Sequence, residues 1–167
     1  LEIEVDGHRV EISAWPGDEA WTRHVTSNLE DGLPTLIEQV GVPWPIDGDL
    51  AIIESYSPYL SGYAGWYDPN TDEIEIGDEL DSHLVFHELS HVWFNEELFQ
   101  QRWITEGLAD VFGAAVVESL GDTTETPQPT SQSDGDALPL NKWRTYGTES
   151  DTESWSYGAS WTVTDAM

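Results

Sequence analysis

His87-Glu88-Leu89-Ser90-His91 is the stretch on which the reading of this chain turns. On an α-helix, residues four apart differ by about 40° in direction and about 6 Å in rise. Both imidazoles therefore leave one face, close enough together to grip a single cation. Glu88 lies about 100° from His87 and about 60° from His91, at the border of that face. A carboxylate so placed can reach a water beside the cation without becoming a ligand, which is the division of labour in the H-E-x-x-H pattern. An amphipathic helix whose histidines are satisfied inside a fold would carry the same letters, so the surroundings have to decide.

Downstream lies Trp103-Ile104-Thr105-Glu106-Gly107-Leu108-Ala109-Asp110. A catalytic zinc takes three protein ligands and keeps one position for water. Glu106 falls on the next predicted helix, with fourteen residues between it and His91. An antiparallel return across a short connection can carry it back to the imidazole pair. Asp110, one turn further on the same face, is suited to hydrogen-bond a ligand imidazole and fix its tautomer. His83, one turn before His87, reads as solvated helix surface, and Trp93 and Trp103 read as packing.

Working outward, residues 1–15 contain a hairpin that turns at Asp6-Gly7. A helical segment over residues 16–41 is expected to be interrupted at Asp31-Gly32 and restarted by Pro34. Residues 49–54 read as a buried strand. A second hairpin spans residues 62–77, and its return strand, Glu73-Ile74-Glu75-Ile76, alternates as a strand near a sheet edge does. Helices are expected over residues 80–95 and 105–120, the second capped by Thr105 and stopped before Gly121. Residues 121–137, rich in Thr, Ser, Pro, Gly and acid, read as a flexible loop. A further helix opens near Tyr157 and stops at Met167. Together with the initial Leu1, this reads as one domain, 1–167, cut from something longer and truncated at its C-terminus. Strands first and helices later predict an α+β fold.

Thirty-three Asp and Glu face five Lys and Arg, a formal net charge of −28. Charge of that sign and density repels polyanions and excludes a nucleic-acid partner. An anionic membrane surface is equally unattractive. The acid shell reads as solvated surface, suited to high salt; attraction of cationic substrates is the sharper alternative. Nine Trp, six Tyr and four Phe supply the area for a core. With no Cys, disulfides and thiolate metal sites are excluded. No apolar run approaches membrane-spanning length. The oligomeric state is not legible.

The pair HELSH and WITEGLAD resembles the gluzincins, the thermolysin-like zinc peptidases that bind metal through two His and a downstream Glu. The Glu106-to-Asp110 spacing is similar to the thermolysin branch, and Trp103-x-x-Glu106-Gly107-x-Ala109 to the aminopeptidase N branch. The short interval before Glu106 looks more like the small bacterial peptidase MA-like domains. The resemblance covers residues 49–120, and the Tyr157 region more loosely. It implies a zincin-like α+β fold, a small mixed sheet whose edge strand lies over an active-site helix, with a helical part following. It implies Zn2+ held by His87, His91 and Glu106, with Glu88 as general base and Asp110 behind the ligands. Ser156-Tyr157-Gly158-Ala159 resembles the segment where the aminopeptidase branch places an oxyanion-binding Tyr; an ordinary packed aromatic is the other reading of Tyr157. Gluzincins also pair substrate with an edge strand just before the His-bearing helix. Gly62, Ala64 and Gly65 stand in that place and are small enough to admit a peptide backbone; a plain hairpin would look alike.

The function these features imply is metal-assisted hydrolysis of a peptide or protein substrate. The two-His, one-carboxylate set also suits iron, and Glu88 tips the choice to zinc. The sequence does not separate an endopeptidase from an aminopeptidase, although no Gly-Ala-Met-Glu-Asn stretch is present. A catalytically silent metal-binding module of a larger protein stays open. The expected compartment is outside the cytoplasm.

Overall fold

Val10 and Ile12, Leu50 and Ile52, Ile74 and Ile76 each stand two residues apart, the spacing that puts side chains on one face of a strand. In the computed structural model, which describes residues 1–124, 138–144 and 150–167, all six are at most 2% exposed. They line one face of a mixed five-stranded sheet made of β1 (Glu2–Val5), β2 (His8–Ser13), β3 (Leu50–Glu54), β4 (Gly65–Asp68) and β5 (Glu73–Ile76). The strand order is β1-β2-β3-β5-β4. The outer pairs, β1 with β2 and β4 with β5, are antiparallel. The inner pairs, β2 with β3 and β3 with β5, are parallel and put Ile12, Ile52 and Ile74 in one row. Glu11, Glu73 and Glu75 point to the opposite, wetter face.

Helices cover the apolar face. They are α1 (Glu19–Val40), the single turn α2 (Ser57–Leu60), α3 (Ser82–Ser90), α4 (Arg102–Ser119) and α5 (Ser150–Thr164), with a 3-10 turn at Leu140–Lys142 before the last. α1 packs on β1, β2, α3 and α4; α3 packs on β4, β5 and α4; α5 packs on α4. The fold is α+β with a small mixed sheet, as expected. No helix among the described residues is long and apolar enough to cross a membrane.

Several boundaries differ from expectation. α1 runs without a break through Asp31, Gly32 and Pro34. Trp21, Val25, Leu29, Leu33 and Leu36 form a stripe with no exposure, and each such burial contributes about 1.5–3 kcal/mol. Their sum exceeds the roughly 3 kcal/mol that an interior proline costs. Gly32 is kept for space: a Cβ there would fall on the Phe86 ring of α3. Gly32→Ala should therefore lower unfolding free energy in urea by about 1–3 kcal/mol through overpacking. Helix propensity alone predicts a gain of about 1 kcal/mol. A measured gain would show that α1 does not seat against Phe86.

The N-terminal hairpin turns at Asp6-Gly7, both with positive φ, and joins the main sheet through β2. β5 is one place in from the edge; the edge strand is β4. α3 stops at Ser90 rather than near residue 95, because Asn95 Nδ2 donates to the carbonyls of His91 and Val92 and closes the turn. α4 starts at Arg102, and Thr105 is not its cap: its hydroxyl donates to the Arg102 carbonyl inside the first turn. α5 begins one to two turns before Tyr157. Of the expected loop, residues 125–137 lie outside the described residues.

Candidate metal centre

α3 opens with Asp81, whose carboxylate accepts from the His83 backbone N–H at 2.9 Å. Two turns on, His87 and His91 leave the same face, their ring centroids 4.9 Å apart. His91 stands just past the last helical residue, yet its φ of −65° and ψ of −15° keep it in helical register. α4 packs back along α3 and delivers Glu106. The Nε2 atoms of His87 and His91 are 3.2 Å apart, and Glu106 Oε2 is 3.4 Å from the first and 3.8 Å from the second. Zinc with bonds of about 2.0–2.1 Å in a tetrahedron spaces its ligand atoms by about 3.4 Å. Two nitrogens and one oxygen at this separation fit that ion in size and in donor type, and His87, His91 and Glu106 together can hold a metal.

The outer nitrogens explain why the inner ones converge. His91 Nδ1 is 2.9 Å from the Phe94 carbonyl, which can only accept. The proton therefore sits on Nδ1, and a neutral His91 presents a bare lone pair at Nε2. Burial holds His91 below the ordinary imidazole pKa and favours that neutral form. His87 Nδ1 lies 2.8 Å from Asp110 Oδ1, the contact expected of Asp110. Burial opposes charge on His87, yet the carboxylates of Asp110, Glu106 and Glu88 outweigh it and raise its pKa well above the usual range. Burial also opposes charge on Glu106, but His87, His91 and Arg102 hold its carboxyl well below the usual range.

Glu88 is 4% exposed, and its Oε2 has no hydrogen-bond partner among the described residues. Burial, reinforced by the charges of Glu106 and Asp110 against that of His87, pushes its pKa up to about 8. A buried carboxyl without a partner is costly to folding and marks a site where reactivity is in demand. The edge strand presses directly on it. A Cβ at Gly65 would stand 2.7 Å from Glu88 Oε1, so only glycine lets β4 approach this closely.

The other expected residues separate. Gly62 lies in the exposed turn after α2 with φ 85°. Ala64 lies just before β4, and its carbonyl accepts from Gly77 N at 2.8 Å. Gly65 alone of the three lines the cleft of about 420 Å3 that also holds His87, Glu88, His91, Glu106 and Tyr157. A second recess of about 480 Å3 is lined by Gly62, Ala64 and Gly65, shares His87, Glu88 and Tyr157 with the first, and adds the acids Glu79, Asp81 and Asp110. Tyr157, on α5, accepts a hydrogen bond from Arg102 Nη2 at 3.0 Å, and burial raises its pKa well above that of a free phenol.

His83 is not solvated surface: its side chain is 13% exposed, and its Nε2 lies 3.2 Å from the Asp110 carbonyl. α4 covers the face of α3 that the sequence pattern leaves open. Arg102 is the residue that sequence reading missed, although its position one turn before Glu106 in so acidic a chain was a signal. Trp93 joins the core, and Trp103, half-buried, donates to Gln101 Oε1. Compared with known protein families and with curated proteins, the chain matches none.

Proposed function

We propose that this chain is a zinc-dependent peptidase of the gluzincin type on a zincin-like fold, with His87, His91 and Glu106 as the metal ligands. The observation that carries the reading is the convergence of two anchored imidazole Nε2 atoms and one carboxylate oxygen beside the buried Glu88, whose Oε2 has no partner among the described residues. Zinc, when bound, supplies a Lewis acid and lowers the pKa of water at the site. Glu88 takes up the proton of the attacking water and hands it to the leaving amine, so no covalent intermediate on the protein is required. A group already poised near neutrality by burial is matched to both transfers. Tyr157, held protonated, donates to the oxygen of the scissile carbonyl as charge develops there. β4, paired on one side only among the described residues, offers its other edge to an extended peptide. A general base beside the ligands favours hydrolysis over the oxygen chemistry of an iron site with the same donors.

The test is elemental analysis of the purified protein together with turnover of a quenched peptide library. Stoichiometric zinc with cleavage is expected. Zinc without cleavage would point to a metal-binding module instead, and no zinc would defeat the ligand set.

Asp110→Ala should leave the three ligands in place but free the His87 ring. Zinc affinity should fall by about 10–100-fold, the usual cost of losing a partner behind a ligand. Competition with a chromogenic chelator measures it, and an unchanged affinity removes Asp110 from that role.

A further inference from the structure

Arg102 is out of character for this protein. Thirty-three acids outnumber five cations, yet one of the five is withdrawn from the surface. The Arg102 side chain is 8% exposed, against 55% for Arg9 and 71% for Arg23. Burying a guanidinium is costly unless its donors are matched. Here they are matched across two helices. Nε donates to Glu106 Oε1 at 3.3 Å on α4, and Nη2 donates to the Tyr157 oxygen at 3.0 Å on α5. Nη1 pairs with Glu153 Oε1 at 2.6 Å and donates to the Arg144 carbonyl at 3.1 Å. The flat face of the guanidinium lies 4.2 Å from the Trp143 ring centroid, which packs edge-on against Tyr157. A planar fork with fixed donor directions can do this; an ammonium cannot.

Two consequences follow from which atoms are taken. Glu106 spends Oε1 on Arg102, so Oε2 alone faces the two imidazoles. The Tyr157 oxygen spends a lone pair as acceptor, so its own hydrogen is left to point elsewhere. A cationic donor on that oxygen also polarises the O–H bond and makes it a stronger donor. Tyr157 lines the same cleft as His87, Glu88 and Glu106.

We propose that Arg102 is a positioning residue: it commits Glu106 to hold the metal through one oxygen, and it turns the Tyr157 hydroxyl hydrogen toward the carbonyl oxygen of a bound substrate. The second half rests on the peptidase reading; the first needs only that the centre binds metal.

The experiment uses the full chain loaded with cobalt(II), whose visible absorption weakens when a fifth donor joins four. Arg102→Lys keeps the charge but cannot span Glu106, Tyr157 and Glu153. It is expected to bind cobalt stoichiometrically with a weaker visible band, because the released Oε1 swings onto the metal. Peptide turnover is expected to lose about 10–100-fold in kcat with KM little changed, as for a misaimed oxyanion donor. In a Tyr157→Phe background the same substitution should cost less than about 3-fold in kcat, since the hydroxyl it steers is gone. An unchanged cobalt band overturns the Glu106 half, and an equal kcat loss in both backgrounds overturns the Tyr157 half. Should Arg102→Lys fail to fold, Tyr157→Phe alone still decides the second half: full kcat defeats it. In that case Arg102→Gln, which keeps a planar donor, supplies the cobalt spectrum on the same criterion. A wild-type protein that binds cobalt but cleaves nothing defeats the peptidase reading and the Tyr157 half with it, while the cobalt spectra still decide Glu106.

Discussion

Glu88→Gln is expected to leave zinc bound and to lower kcat for peptide hydrolysis by at least about 10^3-fold, within the range that a positioned acid–base group supplies. Glu88 does not point into the ligand triangle as a donor of its own, so its removal spares the metal. The amide fits the same space under Gly65 but can neither accept the proton of water nor return it to the amine. Elemental analysis beside single-turnover kinetics reads both halves. A variant that keeps more than a tenth of wild-type turnover would take the general-base role from Glu88. The same substitution has a second reading in metal-free protein. Burial lifts the Glu88 pKa from 4.5 to about 8, so the folded state prefers the protonated acid. That contribution to stability is complete below about pH 4.5 and disappears as pH rises through about 8. Gln has no such dependence, so above pH 8 metal-free Glu88→Gln should unfold at higher temperature than metal-free wild type.

His91→Ala should remove stoichiometric zinc altogether. Losing a partner behind a ligand weakens affinity by about 10–100-fold, and losing one of three direct ligands must cost more. Of the two histidines proposed as ligands, His91 is the one whose tautomer is set by the backbone rather than by an acid: the Phe94 carbonyl holds Nδ1 at 2.9 Å. No other described side chain joins His87 and Glu106 in such a cluster. Dialysed protein assayed for metal content checks this, and activity should fall in parallel. Retained stoichiometric zinc would strike His91 from the ligand set.

What was legible in the sequence was what depends on local periodicity. The i, i+4 spacing of His87 and His91, and of Glu106 and Asp110, is a property of the helix itself, and the structure brings these four side chains together. The period-two runs in β2 and β5 likewise announce one buried face, and the apolar run of β3 a buried strand. Features decided by tertiary packing were hidden. Nothing in Asp31-Gly32-x-Pro34 signals that Phe86, more than fifty residues away, needs the space over Gly32, or that the buried stripe carries α1 through unbroken. His83 looks solvated until α4 lies over it. The ends of α3 and α4 were misplaced because side chains of Asn95 and Thr105 bond to nearby carbonyls, an option that propensity does not resolve. Arg102 pairs with Glu106 one turn along its own helix, but what buries it, Glu153 and Tyr157, lies on a helix fifty residues further along the chain.

A strand edge that meets no described strand invites a second copy of the protein as readily as a peptide, and edge-to-edge pairing of that kind leads to aggregates. β4 has to stay open if it is to hold substrate, so neither a covering helix nor a proline in its middle can guard it. Asp68, Asp72, Glu73 and Glu75 cluster on and around this hairpin instead. Mutual repulsion between two such acidic margins keeps molecules from zipping together, and a single extended peptide meets far less of it than another folded copy would. Acidic side chains at this margin thereby act against edge-to-edge pairing.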